Sequence, residues 1–291
     1  MLMIDNYLLE ELVTFAQTGT LAQTAATLNV TQPTVTRGMQ KLEDDLGVRL
    51  FNRQPNRILL TATGELAAAK AKTLLALNRE LVTAVQNFDR SQQRLTLKST
   101  LPGPLLVARK IQAQFPTLQL DDQLLPTDQL SNQLISRAAA LVLSDQELLT
   151  NTVESRYLGT ERLAVNLDQF MYHANQSTVQ FKELRGLSFL VLQDIGAWRD
   201  IIQDQIPDAQ FMYQAQRDAF TKITKYADFP YFSTNLSPLD PNAPTVSQDD
   251  NRVRIPISDD IAQMPIYGSY LKEDRDRVAP VLEMMSQAWP Q

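Results

Sequence analysis

Residues 31–46 form a segment in which apolar side chains alternate with hydrogen-bonding and cationic ones. Apolar side chains recur in it at a spacing of three or four, which predicts a helix with one buried face. These apolar positions are Val35, Met39, Leu42 and Leu46. The opposite face carries amides, hydroxyls and cations, which hydrogen-bond to base edges and phosphates. Those side chains belong to Gln32, Thr34, Thr36, Arg37, Gln40 and Lys41. The segment predicts a helix that lies in the major groove and ends at Gly47.

Two capping signals bracket the short helix expected just before this segment, at about residues 21–28. Thr20 and Gln23 have capping-box spacing, in which the hydroxyl accepts a backbone N–H while the glutamine side chain reaches back. Thr31 and Pro33 form the second signal, because a proline in the first turn loses no hydrogen bond. Two short helices joined by a tight turn predict a helix-turn-helix. We expect Thr20, Thr31 and Pro33 to lie at the DNA interface with the polar face.

A wing is expected after these helices. Residues 48–51 and 58–60 are typical of short strands, and residues 52–57, which include a proline and two asparagines, are typical of the turn between them. Arg53 and Arg57 lie near the tip, where they would contact the phosphate backbone or the minor groove. The alternative is that both arginines are ordinary solvated charges. A wing beside a helix-turn-helix favours the DNA-contacting interpretation.

The run of residues 19–37 resembles the signature of LysR-type transcriptional regulators, as do residues 42–53 and 60–65. This resemblance implies a winged helix-turn-helix that binds double-stranded DNA at an inverted-repeat operator. One departure from good helix-forming sequence is Gly38, in the middle of the third helix. An interior glycine costs ~1 kcal/mol relative to alanine.

The next segment predicts one long helix, from Ala62 to about Asp89, because it contains no proline and a single glycine. An apolar seam follows it, formed by Leu66, Leu77, Leu81, Ala84 and Phe88. A long helix with such a seam, attached to a small domain, usually packs on a partner helix. We therefore expect a homodimer or a homotetramer through this linker, which the family resemblance also implies. The alternative is that the seam packs on the chain's own C-terminal domain.

The C-terminal two hundred residues alternate strand and helix patterns. Strands are expected at about 95–98, 118–120 and 139–143, with helices between them, which predicts a parallel sheet covered on both faces. A second series runs from about residue 162, and a last helix at 275–288 is expected to return to the first lobe. The arrangement resembles the family's two-lobed effector-binding domain, which is similar to periplasmic binding proteins.

The expected fold class is therefore α/β with three parts. A winged helix-turn-helix occupies residues 1–61, a linker helix 62–90 and a two-lobed effector domain 91–291. The first lobe comprises about 91–160 and 265–291, and the second about 161–264. Residues 226–250 depart from the family, which usually carries a Gly-rich apolar strand here. We expect a loop over residues 236–250, which are rich in Pro, Ser and Asn.

Ligands of open parallel sheets bind where the strands end, against helix N-termini. In the first lobe this rule selects Ser99, Thr100, Gly103, Thr127 and Asp128. In the second lobe it selects Gln193, Asp194, Gly196 and Trp198, and also Ser233 and Thr234 on the departing segment. We expect these residues to contact a small-molecule effector of unknown identity. For each hydroxyl, the alternative is an ordinary helix cap.

The charge pattern separates two parts of the chain. The 291 residues carry a net charge of −6, whereas residues 1–90 hold nine basic and nine acidic side chains, so all the excess acid lies after residue 90. A neutral head on an acidic body indicates different partners for the two parts. There is no cysteine, which removes disulfides and thiolate chemistry. No signal peptide is apparent and no stretch approaches the ~20 apolar residues of a membrane span. We expect a cytoplasmic protein with no membrane partner.

An enzyme is not expected. The lone histidine, His173, lies in polar sequence and is expected at the surface, and the acidic pairs at 249–250 and 259–260 are typical of solvated loops. We expect no catalytic site, no metal site and no cofactor. A transported-solute receptor would share the two lobes, but it would need an export signal and no DNA-binding head. The sequence thus predicts a DNA-binding regulator modulated by an effector in the interlobe cleft. The alternative is a regulator whose effector domain has lost ligand binding and serves only in oligomerisation.

Overall fold

The computed structural model describes residues 3–54, 57–241 and 251–290. The chain divides into two compact units, Met1–Gln86 and Asn87–Gln291. None of the helices in the described ranges is long and apolar enough to cross a membrane.

The N-terminal unit is a three-helix module followed by a two-stranded wing. Its elements are α1 (Asn6–Thr18), α2 (Leu21–Thr27), α3 (Gln32–Leu46), β1 (Phe51–Gln54), β2 (Arg57–Leu60) and the start of α4 (Ala62–Gln93). Helices α1 and α3 end at Gly19 and Gly47, which take the left-handed conformation that glycine adopts without a Cβ penalty. The two strands pair antiparallel, from Gln54 opposite Arg57 to Phe51 opposite Leu60. The predicted helix-turn-helix and wing are confirmed. The wing strands extend into the predicted 52–57 turn, so Arg53 and Arg57 lie on strands, and residues 55–56 lie outside the described residues.

The core of this unit joins α1, α3 and the wing. Its members include Leu8, Leu12, Phe15, Val35, Met39, Leu42, Leu50 and Phe51. The rings of Phe15 and Phe51 meet edge to face, with their centroids 5.5 Å apart. Leu46 is exposed, so the prediction that it completes the buried stripe is wrong. It is the last residue of α3, where the chain turns away at Gly47.

Gly38 has a packing reason that lies outside its own helix. A Cβ at this position would lie 1.8 Å from Oε2 of Glu11, a side chain of α1 that is only 4% exposed. The glycine therefore makes room for a carboxylate between α1 and α3. Burial raises the pKa of Glu11 above its ordinary value. Its Oε2 has no hydrogen-bond partner in the described part of the chain.

A second close contact joins the first turn of α4 to the start of the wing. The Thr61 hydroxyl accepts a hydrogen bond from the Gly64 N–H at 3.0 Å and donates one to the Arg49 carbonyl oxygen at 3.0 Å. A Cβ on Gly64 would lie only 2.2 Å from the carbonyl oxygen of Leu50. The cap and the glycine together hold α4 against the wing.

Helix α4 presents two different apolar faces. Ala68, Ala71 and Leu75 are buried in the core of the N-terminal unit. The predicted seam lies on the other side of the helix, and its members Leu66, Leu77, Leu81 and Phe88 are each more than half exposed. The predicted long helix is confirmed, and it extends to Gln93 rather than ending near Asp89.

The first lobe of the C-terminal unit is built on three parallel strands. They are β3 (Leu95–Ser99), β4 (Leu118–Leu124) and β5 (Leu141–Ser144), with α5 (Pro102–Gln112) and α6 (Leu130–Ile135) between them. Strand β3 lies in the middle and pairs with both neighbours in parallel, as the sequence predicts. The last helix, α9 (Arg275–Ala288), packs against α5 of this lobe, which confirms the predicted return.

The second lobe repeats this plan. Its elements are β7 (Ser188–Leu192), α7 (Trp198–Gln205), β8 (Gln210–Gln214), α8 (Arg217–Tyr226) and β9 (Tyr231–Thr234). Strand β7 pairs in parallel with β8 and β9. The segment that departs from the family pattern thus still supplies a strand. Part of the loop expected beyond it forms a short 3-10 turn, and residues 242–250 lie outside the described residues.

Two long antiparallel strands connect the lobes, which the prediction of parallel sheets missed. Strands β6 (Val153–Asp168) and β11 (Gln263–Leu271) pair along the whole of β11. Strand β11 also pairs with β5, while the far end of β6 pairs with β9 and with β10 (Arg252–Pro256). The strands described after α4 therefore form one nine-stranded mixed sheet.

Two surface expectations need correction. His173 is half-buried in a 3-10 turn rather than fully at the surface, and its Nδ1 is buried. Asp259 is not a freely solvated acid, because its carboxylate accepts a 2.9 Å hydrogen bond from the N–H of Phe181. The acidic pair at 249–250 lies outside the described residues.

Replacing Gly64 with alanine tests the contact between α4 and the wing. Alanine favours a helix by about 1 kcal/mol relative to glycine. Its methyl group would, however, overlap the Leu50 carbonyl oxygen. We expect Gly64→Ala to lower the free energy of unfolding by about 1–3 kcal/mol, the usual cost of overpacking. Urea unfolding of the full chain measures this. Thr63→Ala, at the exposed preceding position, is the control and should have almost no effect; equal stability of the two variants would contradict the contact.

Candidate nucleic-acid interface and ligand cleft

The N-terminal half of α3 carries the polar surface that the sequence predicts. Gln32, Pro33, Thr34, Arg37, Gln40 and Lys41 are exposed, as are the two cap residues Thr20 and Thr31, while Thr36 is half-buried. The Thr31 hydroxyl accepts a hydrogen bond from the Thr34 N–H at 3.4 Å, and the two hydroxyl oxygens lie 2.8 Å apart. The helix therefore begins with a capped N-terminus at the edge of an exposed polar face.

The cations of this face are held by neighbouring groups. Arg37 donates from Nε to the carbonyl oxygen of Pro33, one turn earlier, at 3.3 Å. Lys41 donates to the carboxylate of Asp5 at 2.8 Å and to the hydroxyl of Tyr7 at 3.3 Å. These two hydrogen bonds raise the pKa of Lys41 further above its ordinary value. Lys41 therefore stays charged at neutral pH, although Asp5 offsets part of that charge.

The wing is fixed to α3 by the carboxylate of Glu43, the first of three adjacent acids at residues 43–45 and not one of the predicted site residues. Glu43 Oε1 accepts hydrogen bonds from the N–H groups of Leu50 at 2.7 Å and Phe51 at 3.0 Å. Its Oε2 lies 3.7 Å from the guanidinium of Arg53. Arg53 and Arg57 are both exposed, on β1 and β2. Nothing in the spacing of the three adjacent acids distinguishes Glu43 from its neighbours, because its partners lie in a later element.

Thr20 caps α2 in a slightly different way from the predicted capping box. Its hydroxyl accepts from the Gln23 N–H at 3.3 Å, as expected. The Gln23 side chain accepts a 3.1 Å hydrogen bond from that same hydroxyl instead of reaching back to the backbone. Thr20 therefore caps α2 through hydrogen bonds to the backbone N–H and the side chain of Gln23.

The C-terminal unit contains a cleft of about 850 Å³, its open mouth included, that is lined from both lobes. Its wall is largely aliphatic and aromatic. The lining residues are Pro102, Gly103, Leu106, Glu161, Leu163, Leu190, Val191, Leu192, Ile195, Trp198, Ile202, Arg217, Phe220, Tyr231, Phe232, Ser233, Thr234, Ser237 and Asp240. An apolar cavity with a few polar groups is the usual form of a small-molecule site.

The predicted effector residues are divided among several places. Gly103 and Trp198 line the cleft, as do Ser233 and Thr234. Gln193 and Asp194 line an adjoining cavity of about 650 Å³, which shares Arg217 with the cleft. The cleft thus brings together predicted residues from three strand ends.

Other predicted residues lie outside the lining of either cavity. The Ser99 hydroxyl is buried, donating to the Leu101 carbonyl oxygen at 2.6 Å and accepting from the Leu101 N–H at 3.1 Å, in the turn that precedes α5. Thr100 is buried, and a Cβ on Gly196 would lie 2.5 Å from its carbonyl oxygen. Thr127 and Asp128 are exposed on a 3-10 turn.

Glu161 is the main residue that sequence analysis missed. It lies on β6, lines the cleft and is only 2% exposed. Burial raises the pKa of its carboxyl to about 7, although the nearby Thr234 hydroxyl and Trp198 indole N–H oppose the rise. The sequence of β6 contained a sign of this burial. Residues 161, 163 and 165 lie on one face of the strand, and the two that follow Glu161 on that face, Leu163 and Val165, are apolar.

The cleft wall also contains an ion pair. The guanidinium of Arg217, at the start of α8, is paired with the carboxylate of Asp240. Desolvation lowers the pKa of Arg217, and repulsion from Arg109 lowers it by a smaller amount. The charged side chains of the lining are Glu161, Arg217 and Asp240, so the described wall holds two acids and one base.

Glu161 should make stability depend on pH. The unfolded carboxyl loses its proton near pH 4.5, whereas the folded one keeps it to about pH 7. Between these values the unfolded state binds fewer protons, so the free energy of unfolding falls as pH rises, by up to about 3 kcal/mol from this group. Glu161→Gln should therefore be more stable than the parent chain at pH 8, with a smaller difference at pH 4.5.

Urea unfolding of both proteins from pH 4.5 to pH 8 measures this difference directly. Glu147→Gln, which alters an exposed carboxylate of the same unit, is the matched control. A stability difference for Glu161→Gln that does not vary with pH would contradict the shifted titration.

Comparison with known proteins identifies the N-terminal unit. Residues 7–65 match the family described as "Bacterial regulatory helix-turn-helix protein, lysR family". The matched segment contains α1, α2, α3 and both wing strands.

Two curated relatives extend the similarity beyond that segment to different degrees. An SDS degradation transcriptional activation protein of Pseudomonas sp. is 36% identical over 111 residues, covering 38% of this chain and 36% of the relative. A hydrogen peroxide-inducible genes activator of Pectobacterium carotovorum is 31% identical over 207 residues, covering 66% of this chain and 65% of the relative. The aligned part of the chain thus spans less than two thirds of each relative's length.

The whole fold has a solved counterpart. A full-length OxyR variant from Pseudomonas aeruginosa superposes with a TM-score of 0.52 at 18% sequence identity, covering 98% of this chain and 95% of that one. At this identity the likeness concerns the fold, which includes the helix-turn-helix and the two-lobed α/β unit.

Proposed function

Because this chain belongs to the LysR-type family of transcriptional regulators, we propose that it binds a specific duplex DNA sequence and regulates transcription in response to a small molecule. The observation that carries the proposal is the exposed polar face of α3, which starts at a capped N-terminus. The relatives are named as transcriptional activators, not enzymes.

The side chains of α3 divide by the DNA group they suit. Gln32, Thr34 and Arg37 lie in the first two turns, the part of a recognition helix that reaches base edges. Lys41, further along α3, and Arg53 and Arg57, on the wing, provide charges for phosphates. We assign the remaining predicted contacts to positioning on the DNA backbone; they are Thr20, Thr31, Pro33, Thr36 and Gln40.

Helix α4 supports a homodimer as the DNA-binding form. Leu74, Leu77 and Leu81 are each at least half exposed and follow the three- and four-residue spacing of a helix-pairing stripe. Exposed leucines in such a stripe are stabilised by burial against a second copy. Two-fold pairing of the heads suits an inverted-repeat operator. A homotetramer would be two such dimers joined through further contacts.

The cleft supports a sensing role for the C-terminal unit. Its apolar wall and few polar groups fit a small molecule, so we favour effector binding over the alternative in which this unit serves only in oligomerisation. One relative is named for hydrogen peroxide induction. Thiol oxidation is not available to this chain, which contains no cysteine. We therefore propose a bound organic effector as its signal.

Arg37→Ala tests sequence recognition. Loss of a bidentate base contact costs about 1–3 kcal/mol, so affinity for the operator should fall about tenfold or more while affinity for random DNA changes less. Gel shifts with fragments flanking the chain's own gene measure both, and Thr34→Ala should act in the same direction. Lys72→Ala, an exposed cation on α4, is the matched control. Equal affinity of the parent chain for its best fragment and for random DNA would contradict the proposal.

The dimer is tested on α4. Leu77→Asp combined with Leu81→Asp places two charges in the exposed stripe and should shift the protein towards monomer in sedimentation velocity. Operator affinity should fall with it, because paired heads are lost. Thr83→Asp adds a charge on the opposite side of the same helix and should leave the mass unchanged. A doubly substituted protein that keeps the parent mass would exclude α4 as the main contact.

A further inference from the structure

We propose that the cleft accepts a small, largely apolar effector that donates a hydrogen bond to Glu161, and that it discriminates against carboxylate effectors. This inference rests on the proposed function, because it takes the cleft to be the effector site. It concerns the chemical class of the ligand, which is not set by the family or by the apolar wall alone.

The position of Glu161 is the first argument. A Cβ added to Gly103, in the first turn of α5, would lie 2.1 Å from Glu161 Oε1. The N-terminal end of a helix favours an anion, and in open α/β sheets that is where a ligand's negative group usually binds. Here the chain's own carboxylate lies beside that end. A ligand carboxylate placed there would meet a like charge or require Glu161 to be protonated.

Unpartnered polar atoms are the second argument. Glu161 Oε2 and Trp198 Nε1 are buried, line the cleft, and have no hydrogen-bond partner of normal geometry within the described ranges. A buried acceptor without a donor costs about 1–3 kcal/mol, more when it is charged. A hydroxyl, amide or ammonium group on the ligand would supply Glu161 Oε2 with a donor of normal geometry, in addition to the nearby Thr234 hydroxyl and Trp198 indole N–H. Trp198 could then donate to an oxygen of the same ligand.

The charge of the wall is the third argument. Arg217 is the basic residue among the described lining, and it is already paired with Asp240. With Glu161 ionised, the lining therefore carries one net negative charge. A carboxylate ligand would have to compete with the carboxylate of Asp240, which is 7% exposed, for the partly exposed guanidinium of Arg217. A neutral donor or a cation meets no such competition.

The remainder of the wall indicates what the effector's body is like. Phe220 and Tyr231 meet edge to face, with ring centroids 5.7 Å apart, and Phe232 lies beside them. Leu163 and Ile202 add branched aliphatic surface. Rings packed in this way leave aromatic faces and edges that suit a planar ligand ring. The geometry points to an aromatic or similarly compact apolar body that carries one polar end.

Three small probes with the same ring test the class of ligand. Phenethylamine, phenylacetamide and phenylacetate end in an ammonium, a neutral amide and a carboxylate. Each is added at the same millimolar concentration to the full chain at pH 7.5, and Tm is measured. We expect the amine and the amide to raise Tm and phenylacetate to bind about tenfold more weakly or not at all. Strongest binding by phenylacetate would overturn the inference.

Substitutions then assign the preference to Glu161. Glu161→Gln keeps the shape of the side chain but removes the charge, and should weaken phenethylamine binding about tenfold while reducing discrimination against phenylacetate. Trp198→Phe keeps an aromatic ring but removes the indole N–H, and it should weaken the binding of phenylacetamide. Glu147→Gln is the control and should keep the parent ranking. An unchanged ranking in Glu161→Gln would also overturn the inference.

Failure of this inference is distinguishable from failure of the proposed function. If no probe shifts the Tm of the parent chain or of Glu161→Gln, both the ligand class and effector binding by this cleft are contradicted. Sequence-specific gel shifts would still stand in that case, because they depend on the N-terminal unit. Binding of phenylacetate alone would instead keep the effector site and reject only its proposed chemistry.

Discussion

Strand β6 pairs with β11 over its first ten residues and with β9 and β10 over its remainder, so both lobes are hydrogen-bonded to one continuous strand. The change of partner occurs beside Glu161, which therefore lies in the wall between the lobes. The helices and loops that line the cleft are attached to strands on either side of this junction. The geometry of the cleft thus depends on where β6 changes its partner from β11 to β9 and β10.

Both units use a buried carboxylate against a glycine of a helix. Glu11 lies against Gly38 between α1 and α3, and Glu161 lies against Gly103 at the start of α5. In each case the glycine lacks the methyl group that would occupy the carboxylate's position. The two carboxylates differ in surroundings, since Glu11 lies inside the helix-turn-helix and Glu161 lines a cavity. A buried carboxylate in an open cleft can accept a hydrogen bond from a ligand. A carboxylate enclosed between two helices cannot.

The DNA-binding surface and the cleft have opposite chemistry for a physical reason. The α3 face must meet a polyanion, so its hydroxyls, amides and cations are exposed and few acids intrude on it. The cleft must hold a small molecule away from water, so it is mainly apolar and its polar groups are few. In the sequence, this difference is visible as a neutral N-terminal part, residues 1–90, followed by an acidic C-terminal part.

The sequence by itself determined the elements whose causes are local. Thr31 caps α3 and Gly47 ends it because both act on backbone within one turn, and the predicted limits of α9, 275–288, are those observed. The family resemblance and the polar face of α3 followed in the same way. Only the tertiary structure decided that Gly38 makes room for Glu11, that Glu43 holds the wing, and that Glu161 faces the cleft while Thr127 does not. Strand alternation assigns a side chain to one of two faces, but what lies opposite that face is set by pairing between residues distant in sequence, such as β6 with β11.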